Sequence, residues 1–355
     1  MASLYARWCR SGRQATAAVC LALAVTGCSR EPAPPPHQTP AVTAAPPPPA
    51  RPPAEVLTLP RKPGSVRFAA IGDSGRGDPP QYEVSAEMQV FHKVFSYDFV
   101  LMLGDNVYDG GTPEYYRDRF ELPYKPLLDG GVKFYATIGN HDFPNQPFYP
   151  PFNMGGQRYY TFKPPSLVAR LGTGDDVRFF MIDTERLDRP QLEWIDREMG
   201  QSQSDWKIPV FHRPIYTSGR YARPARGLRA LLEPLFLKHG VKAAFSGHEH
   251  FYERIKPQQG ITYFISGGAG SLRAGDIRPT GLTDVGFDRD YHFMLIEISG
   301  DELYFQAISR TGVTIDAGTV RRKSRDAQET RERLPQATTR SRAAQRLPTG
   351  PQSPP

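Results

Sequence analysis

Short apolar runs recur along the middle of the chain, and several alternate with segments whose apolar residues repeat at helical spacing. Runs of β-branched and aromatic residues predict strands, whereas repeats such as Val84, Met88, Phe91 and Phe95 predict amphipathic helices. The predicted strands are 66–71, 98–103, 133–138, 158–162, 177–182, 207–211, 241–246, 261–266, 292–298, 302–308 and 313–319. The predicted helices are 81–95, 113–128, 189–199 and 226–239.

This order of elements predicts the fold class. Strands alternate with helices up to about residue 260, and the chain then continues as strands alone. Alternation favours sheets with helices on their faces, and the later run of strands adds neighbours to those sheets. We therefore expect an α/β (α+β) domain with a core of mixed β-sheets and helices outside.

Composition divides the chain into four segments. Residues 1–28 begin with arginines and continue as a short apolar run, 29–63 are rich in proline, and 321–355 are polar and basic. Only 64–320 has enough apolar side chains for a large folded domain. We expect 1–28 to be a signal peptide, 29–63 an extended disordered tether and 321–355 a disordered basic tail.

The apolar run of the first segment ends at Val25–Cys28, Val-Thr-Gly-Cys, which resembles the lipobox of bacterial lipoproteins. That resemblance implies cleavage before Cys28, lipid attachment to Cys28, and an exported periplasmic or cell-envelope protein anchored in the membrane. An ordinary secretory signal with a chance cysteine is the alternative. The other two cysteines also lie in 1–28, so the folded domain cannot use a disulfide, a thiolate-bound zinc or a cysteine nucleophile.

The formal charge of +7 belongs to the terminal segments rather than to the domain. Outside 64–320 lie 16 of the 44 basic residues but only 5 of the 37 acidic ones. The domain itself is therefore slightly acidic, and the basic composition is weak evidence for a nucleic-acid partner. We expect no nucleic acid to be required.

Five short motifs combine small or turn-forming residues with oxygen and imidazole donors, and four of them directly follow predicted strands. They read Gly-Asp-Ser-Gly at 72–75, Gly-Asp-Asn-Val-Tyr at 104–108, Gly-Asn-His-Asp at 139–142, Val-Phe-His at 210–212 and Gly-His-Glu-His at 247–250. Ligands gather at the carboxyl ends of strands in α/β sheets, so we expect these donors to meet at one rim.

The donor types narrow the chemistry. Without cysteine, iron–sulfur and soft-metal sites are excluded, while iron, zinc and manganese remain. Two metal ions about 3.5–4 Å apart can clamp both oxygens of an in-line displacement at phosphorus. Such a pair needs a bridging carboxylate, and Asp105 is the natural candidate.

Together and in this order, the motifs resemble those of the calcineurin-like metallophosphoesterases, and within them the purple acid phosphatase (tartrate-resistant acid phosphatase-like) branch. Gly75 stands where most of the superfamily has a histidine two residues after Asp73. Tyr108 stands where purple acid phosphatases place a tyrosinate ligand to iron(III). The run Gly-His-Glu-His-Phe-Tyr-Glu-Arg at 247–254 is also similar to that of the plant enzymes. The resemblance covers about 66–300.

The resemblance implies a four-layer α/β/β/α sandwich of two mixed β-sheets flanked by helices, with 64–320 as the catalytic domain and two metal ions bound. Metal 1, expected to be Fe(III), would take Asp73, Asp105, Tyr108 and His250. Metal 2, expected to be Zn, Mn or Fe(II), would take Asp105, Asn140, His212 and His248. His141 would face the substrate as the catalytic residue that stabilises the phosphoryl group or protonates the leaving oxygen.

Further residues are assigned supporting roles. We expect Asp142 and Glu253 to orient histidine side chains behind the ligands. His292, at the start of a predicted strand, is expected to be a packing or capping residue, with a position at the rim as the alternative.

The chain departs from the branch after His212. Many purple acid phosphatases carry one or two further histidines about nine residues later, where this chain has Tyr221 and Ala222. We hypothesise that Arg220 or Arg223 grips a phosphate oxygen instead. A solvated basic loop is the alternative.

These observations predict binuclear, metal-dependent hydrolysis of phosphomonoesters, with a metal-bound hydroxide as the nucleophile. One alternative is a phosphodiesterase of the same fold acting on nucleotides or phospholipid headgroups. Another is a non-catalytic envelope lipoprotein that uses the domain for binding. A rim narrowed by the loops 143–157 and 213–226 would favour monoesters, and an open groove would favour diesters. The sequence leaves the oligomeric state open.

Overall fold

The computed structural model of the protein describes residues 56–164 and 177–322. The predicted signal peptide, Cys28, and most of the predicted tether and tail lie outside the described residues. The strands are β1 (Val66–Ile71), β2 (Phe99–Met102), β3 (Lys133–Ala136), β4 (Tyr160–Phe162), β5 (Val177–Ile182), β6 (Trp206–Phe211), β7 (Ala243–Ser246), β8 (Tyr252–Ile255), β9 (Thr262–Ser266), β10 (Thr283–Phe287), β11 (His292–Ser299), β12 (Glu302–Ser309) and β13 (Thr314–Arg321). The helices are α1 (Pro79–His92), α2 (Pro113–Tyr116), α3 (Leu122–Asp129), α4 (Arg189–Gln201) and α5 (Ala222–Lys238), with a π-turn (Arg117–Glu121) and two 3₁₀ turns (Gln146–Phe148 and Pro150–Phe152).

Two mixed sheets form the core. Sheet A has the strand order β13-β12-β11-β1-β2-β3, in which β1, β2 and β3 run parallel and β11 to β13 are antiparallel. Sheet B has the order β10-β8-β9-β7-β6-β5-β4, with β5, β6, β7 and β9 parallel. Its outer strands β4, β8 and β10 pair antiparallel with their neighbours.

The layers follow from alternation along each buried strand. On β1, Phe68 packs between the two sheets, whereas Ile71 faces the layer that holds α1 and α3. On β5, Phe179 faces the space between the sheets, whereas Phe180 packs against α4 and α5. This arrangement confirms the predicted α/β/β/α sandwich, with an aromatic-rich apolar layer between the sheets.

The predicted helix 113–128 is interrupted by the π-turn. Pro123 has no amide hydrogen, so the carbonyl of Arg119 lacks its usual partner four residues later. The side chain of Gln81, on α1, donates to that carbonyl at 2.7 Å instead. The interruption therefore has a local covalent cause and a compensating tertiary hydrogen bond.

Two strands were not predicted, and one boundary was wrong by four residues. β8 begins two residues after the last motif, and β10 is an edge strand that contains Gly286 and has no fully buried side chain. Strand propensity is low at such positions because glycine adds no side chain to pack. Helix α5 begins at Ala222 rather than at 226.

The chain packs onto the domain earlier than predicted. Val56, Leu57 and Leu59 contact the helix-side core of sheet A, and the Thr58 amide donates to Gln306 Oε1 at 2.8 Å. Residues 56–63 are thus part of the domain rather than of the tether, because their apolar side chains pack into its core. At the other end, β13 extends to Arg321, the first residue of the predicted tail. Within these described residues, no helix has both the length and the apolar character needed to cross a bilayer.

Candidate metal centre

The carboxyl ends of parallel strands from both sheets meet along one edge. The residues that follow β1 and β7, Gly72 and Gly247, lie backbone to backbone at this edge. A Cβ atom on Gly72 would lie 2.6 Å from the carbonyl oxygen of Ser266 and 3.3 Å from the Gly247 Cα. Only glycine permits this approach. The two sheets therefore bring their loops into a single cluster.

Three of the predicted ligands have left-handed backbone conformations. The φ angles are +55° at Asp73, +51° at Asp105 and +69° at His248. Side chains other than glycine rarely adopt this region, and each such residue costs on the order of 1–3 kcal/mol. Such strain persists only where surrounding contacts fix it, and it is typical of functional sites.

The centre of the cluster is formed by Asp73, Asp105 and His212, all fully or almost fully buried. One donor atom from each lies within 4.8 Å of the others. Asp105 Oδ1 lies 3.4 Å from His212 Nε2, and Asp105 Oδ2 accepts a hydrogen bond from the Tyr108 hydroxyl at 3.1 Å. The two oxygens of Asp105 therefore face different groups of predicted ligands, as a bridging carboxylate requires.

The orientation of His212 is fixed from behind. Its Nδ1 lies 2.8 Å from the carbonyl oxygen of Leu103, which accepts a hydrogen bond from the ring. Nε2 then points into the cluster, 3.3 Å from Asn140 Oδ1 and 3.1 Å from His248 Nδ1. A carbonyl behind the imidazole sets its tautomer and orientation, as is usual for metal-ligating histidines.

The remaining ligand, His250, joins the cluster through Asp73. His250 Nε2 lies 3.2 Å from Asp73 Oδ1, and the other oxygen of Asp73 accepts from the His248 amide at 2.8 Å. The ligating atoms of Asp105, Tyr108, His212, Asn140 and His248 form one chain of distances of 3.4 Å or less. The Asp73–His250 pair joins them through the 4.8 Å grouping of Asp73, Asp105 and His212.

The charges of the cluster fit bound cations. Burial, together with the charge of Asp105, raises the pKa of Asp73 well above its usual range. Burial alone would lower the pKa of His212, but Asp105 and Asp73 raise it overall. Asp73 Oδ1 is buried and accepts no hydrogen bond from the described residues. Hard metal ions bind carboxylate oxygens whose negative charge is not balanced by nearby positive groups.

Burial also acts on the other donors. It raises the pKa of the Tyr108 phenol, an effect reinforced by the charges of Asp73 and Asp105. It lowers the pKa of His250 to about 3, and Arg273 adds to this effect. The imidazole of His250 is therefore held neutral, which is the form that binds a metal. Phenol, carboxylates, amide and imidazoles together suit iron, zinc or manganese.

His141 stands at the exposed edge of this cluster. Its amide donates to Asp105 Oδ1 at 2.9 Å, and its ring centroid lies 4.8 Å from that of Tyr108. The imidazole is exposed. It is therefore the one predicted site histidine that is presented to solvent beside the buried donors.

Asp142 and Glu253 lie behind the site, but they hold backbone rather than histidine rings. Asp142 accepts from the amides of Asn106, Val107 and Gly139 at 2.7–3.1 Å. It thereby ties the second motif to the third. Glu253 accepts from the Ser218 amide at 3.0 Å. The expected histidine contacts are absent from the hydrogen bonds of the described residues, because loop amides occupy both carboxylates.

The arginines nearest the ligands are not those predicted. Arg220 pairs with Asp276, with Nε 2.8 Å from Oδ2, and Arg223 is exposed in the first turn of α5. Instead Arg213 Nη1 lies 3.0 Å from His248 Nε2, and Arg273 Nη2 lies 3.1 Å from His250 Nε2. Arg213 directly follows a predicted ligand, which was an available signal. Arg273 follows the Gly267–Gly270 turn, and only the fold brings it to the site.

The fold and the donor set together define a metal-dependent hydrolase. The chain belongs to the calcineurin-like phosphoesterase family, whose sequence profile matches residues 66–252. Family membership confirms the resemblance that the five motifs suggested.

Individual relatives support the same placement. Tartrate-resistant acid phosphatase type 5 of Homo sapiens is 24% identical over 309 residues, covering 74% of this chain and 92% of the relative. Purple acid phosphatase 4 of Arabidopsis thaliana is 27% identical over 278 residues, covering 70% and 82%. Among solved structures, GAP50, the anchor in the inner membrane complex of Plasmodium, matches with a TM-score of 0.64 at 20% identity, covering 73% of this chain and 90% of that one. At such identity the structural match shows the shared fold.

Proposed function

We propose that this protein hydrolyses phosphomonoesters at a binuclear metal centre, with Fe(III) at site 1 and Zn, Mn or Fe(II) at site 2. The observation that carries the proposal is the convergence of carboxylate, phenol, amide and imidazole donors from both sheets, beside the exposed His141. Similarity to acid phosphatases over most of the chain supports the same conclusion.

The bound metals would activate water and neutralise the negative charge of the phosphoryl group. The chain's own residues have separate tasks. Asp105 joins the two ligand groups through its two oxygens. Tyr108, a hard anionic donor once deprotonated, favours a trivalent ion on its side. His141 is close enough to the cluster to give a proton to the leaving oxygen.

The arginines favour a monoester over a diester. Arg213 and Arg273 hold two fixed positive charges against His248 and His250. A monoester dianion carries one more negative charge than a diester, so it gains more from this field.

The test is the metal content and visible spectrum of the purified full chain, together with phosphatase assays. The proposal predicts two metal ions per chain, a purple colour that is lost in Tyr108→Phe, and turnover of monoesters faster than of diesters. Two zinc or manganese ions in a colourless protein would contradict the iron assignment. Faster turnover of diesters would contradict the substrate class, and no metal with every ligand intact would indicate a binding module.

We further propose that the protein is exported and anchored in the cell envelope by a lipid on Cys28. Support comes from the N-terminal arginines, the short apolar run and the Val-Thr-Gly-Cys sequence that ends it. In a bacterial host, the wild-type chain should incorporate labelled palmitate and sediment with membranes. Cys28→Ser should do neither. Equal sedimentation of both forms would reject lipid anchoring.

A further inference from the structure

The backbone of the loop from His212 to α5 is held in place by hydrogen bonds to buried side chains. Glu249, which lies between two predicted metal ligands, is fully buried and accepts from the Tyr221 amide at 3.0 Å and from the Thr217 hydroxyl at 3.1 Å. Glu253, also fully buried, accepts from the Ser218 amide at 3.0 Å. Two buried carboxylates therefore fix the backbone of this loop relative to the metal ligands.

The loop uses this rigidity to place one aromatic side chain. The ring of Tyr221 lies 4.0 Å, centroid to centroid, from the ring of His248, tilted by 40°. The side chain is only half-buried. The residues on either side of it do not share this position, since Arg220 pairs with Asp276 and Ala222 begins α5.

One guanidinium lies over this ring, and a second lies against the neighbouring imidazole of His248. The guanidinium carbon of Arg273 lies 5.5 Å from the Tyr221 ring centroid, and its Nη2 reaches His250. Arg213 lies against His248 and is held by Glu185, whose Oε2 is 2.8 Å from Nη2. Aromatic rings and guanidinium planes both stack favourably on aromatic groups. The wall beside the proposed phosphate position is thus built of flat, pre-positioned surfaces.

We propose that Tyr221 is a specificity-determining residue that selects phosphate esters of aromatic alcohols over those of aliphatic alcohols. The inference rests on the proposed phosphomonoesterase activity and names its substrate class. The phosphate lies at the metal centre, and the aryl group of the ester stacks on Tyr221 beside Arg273. The loop that carries Tyr221 is already fixed before the ester binds, so little conformational entropy is lost on binding. This increases the selectivity for the aryl group.

The experiment compares Tyr221→Leu, which keeps the bulk but removes the aromatic face, with Tyr221→Phe, which keeps the ring and loses only the hydroxyl. The readout is the ratio of kcat/KM for phenyl phosphate to kcat/KM for glycerol phosphate, measured on the metal-loaded full chain. This ratio is independent of the active fraction. We expect it to fall roughly five- to tenfold in Tyr221→Leu and to change less than about twofold in Tyr221→Phe.

Phe143→Leu is the matched control. Phe143 is another exposed aromatic of the same rim, 40% accessible, but it packs on Gly111 rather than on a predicted ligand. Its replacement should leave the ratio unchanged. An unchanged ratio in Tyr221→Leu, or an equal fall in Tyr221→Phe and Tyr221→Leu, would overturn the proposal.

A binding assay separates this proposal from the proposed function. Calorimetry with phenylphosphonate and methylphosphonate, neither of which is hydrolysed, should show tighter binding of the phenyl compound and loss of that preference in Tyr221→Leu. Equal binding of the two compounds by the wild-type protein would overturn the role of Tyr221 even if monoesters are hydrolysed. Absence of any hydrolysis, with the phenyl preference intact, would overturn the proposed reaction but not the aromatic wall.

Discussion

The two sheets contribute different chemistry to the same cluster. The loops that follow the parallel strands of sheet A supply the oxygen donors, which are Asp73, Asp105, Tyr108 and Asn140. The loops that follow the parallel strands of sheet B supply the imidazoles, which are His212, His248 and His250. Neither sheet alone carries a complete set for either proposed metal, because each set combines donors from both.

This division means that the distance between the metal ligands is set by the packing of one sheet on the other. Phe68 of sheet A and Phe179 of sheet B meet edge to face at 5.2 Å in the apolar layer below the site. Interiors of this kind are close-packed and resist compression. The candidate metal centre is therefore a property of the interface between the sheets.

The largest effect is expected at Asp105, which contacts predicted ligands from both sheets. Asp105→Asn removes the negative charge that faces both His212 and Tyr108. Metal assistance to phosphoryl transfer is worth several kcal/mol, so kcat/KM should fall by at least about 1000-fold, with metal content reduced as measured by elemental analysis. The control is Asp109→Asn, which alters an exposed carboxylate paired with Arg119 and should retain activity. Normal activity in Asp105→Asn would refute the bridging role.

The second-largest effect distinguishes a role in metal binding from a role in the chemical step. His141→Gln should lower kcat by about 100-fold, because a positioned acid–base group contributes this much or more, while both metals remain bound. His239→Gln serves as the control, since His239 pairs with Asp196 at 2.6 Å at the end of α5. Loss of metal in His141→Gln would instead indicate a structural role in holding Asp105.

A smaller effect should follow from cutting a polar link between the sheets. Asp316 of sheet A accepts from Tyr252 and Arg254 of sheet B, each at 2.7 Å. Asp316→Ala leaves a partly buried arginine short of its partner, so the free energy of unfolding should fall by about 2 kcal/mol in denaturant titrations. Asp129→Ala, which breaks the exposed pair with Lys125, should cost less than about 0.5 kcal/mol. Equal losses in the two variants would show that the link does not stabilise the interface.

The smallest predicted effect concerns acid stability. His292 of sheet A is fully buried against Gly268, which follows β9 of sheet B, and burial lowers its pKa to about 3 from the usual 6.5. Below pH 6.5 the unfolded chain binds a proton at His292 that the folded chain does not bind. The free energy of unfolding therefore falls as the pH decreases from 6.5 towards 3. Between pH 7 and 5.5 the loss from this one group is about 1 kcal/mol.

His292→Asn should remove that contribution. The variant should therefore lose about 1 kcal/mol less than the wild type between these two pH values, whatever its stability at pH 7. Comparing each protein with itself cancels the cost of the substitution. Identical pH dependence in the two proteins would show that His292 does not titrate on unfolding.

The predicted ligands could be named from the sequence because their motifs are local. A small residue, a hard donor and a preceding strand are all adjacent in the chain, as in Gly72-Asp73 after β1 and Gly247-His248 after β7. The supporting residues were harder to assign for the opposite reason. Glu253 and Asp142 accept hydrogen bonds from amides of other loops, and Arg273 contacts His250 from a loop 23 residues further along the chain.

By itself the sequence determined most of the strands and helices, the donor types and the absence of thiol chemistry from the domain, because each depends on residues close together in the chain. The sandwich class was implied by the resemblance that the five motifs carry. Tertiary structure alone decided which sheet carries which donors, and that Arg213 and Arg273 rather than Arg220 and Arg223 contact the ligands. It also placed Tyr221 over His248. These features depend on contacts between residues far apart in sequence, whose geometry is fixed by how the two sheets pack.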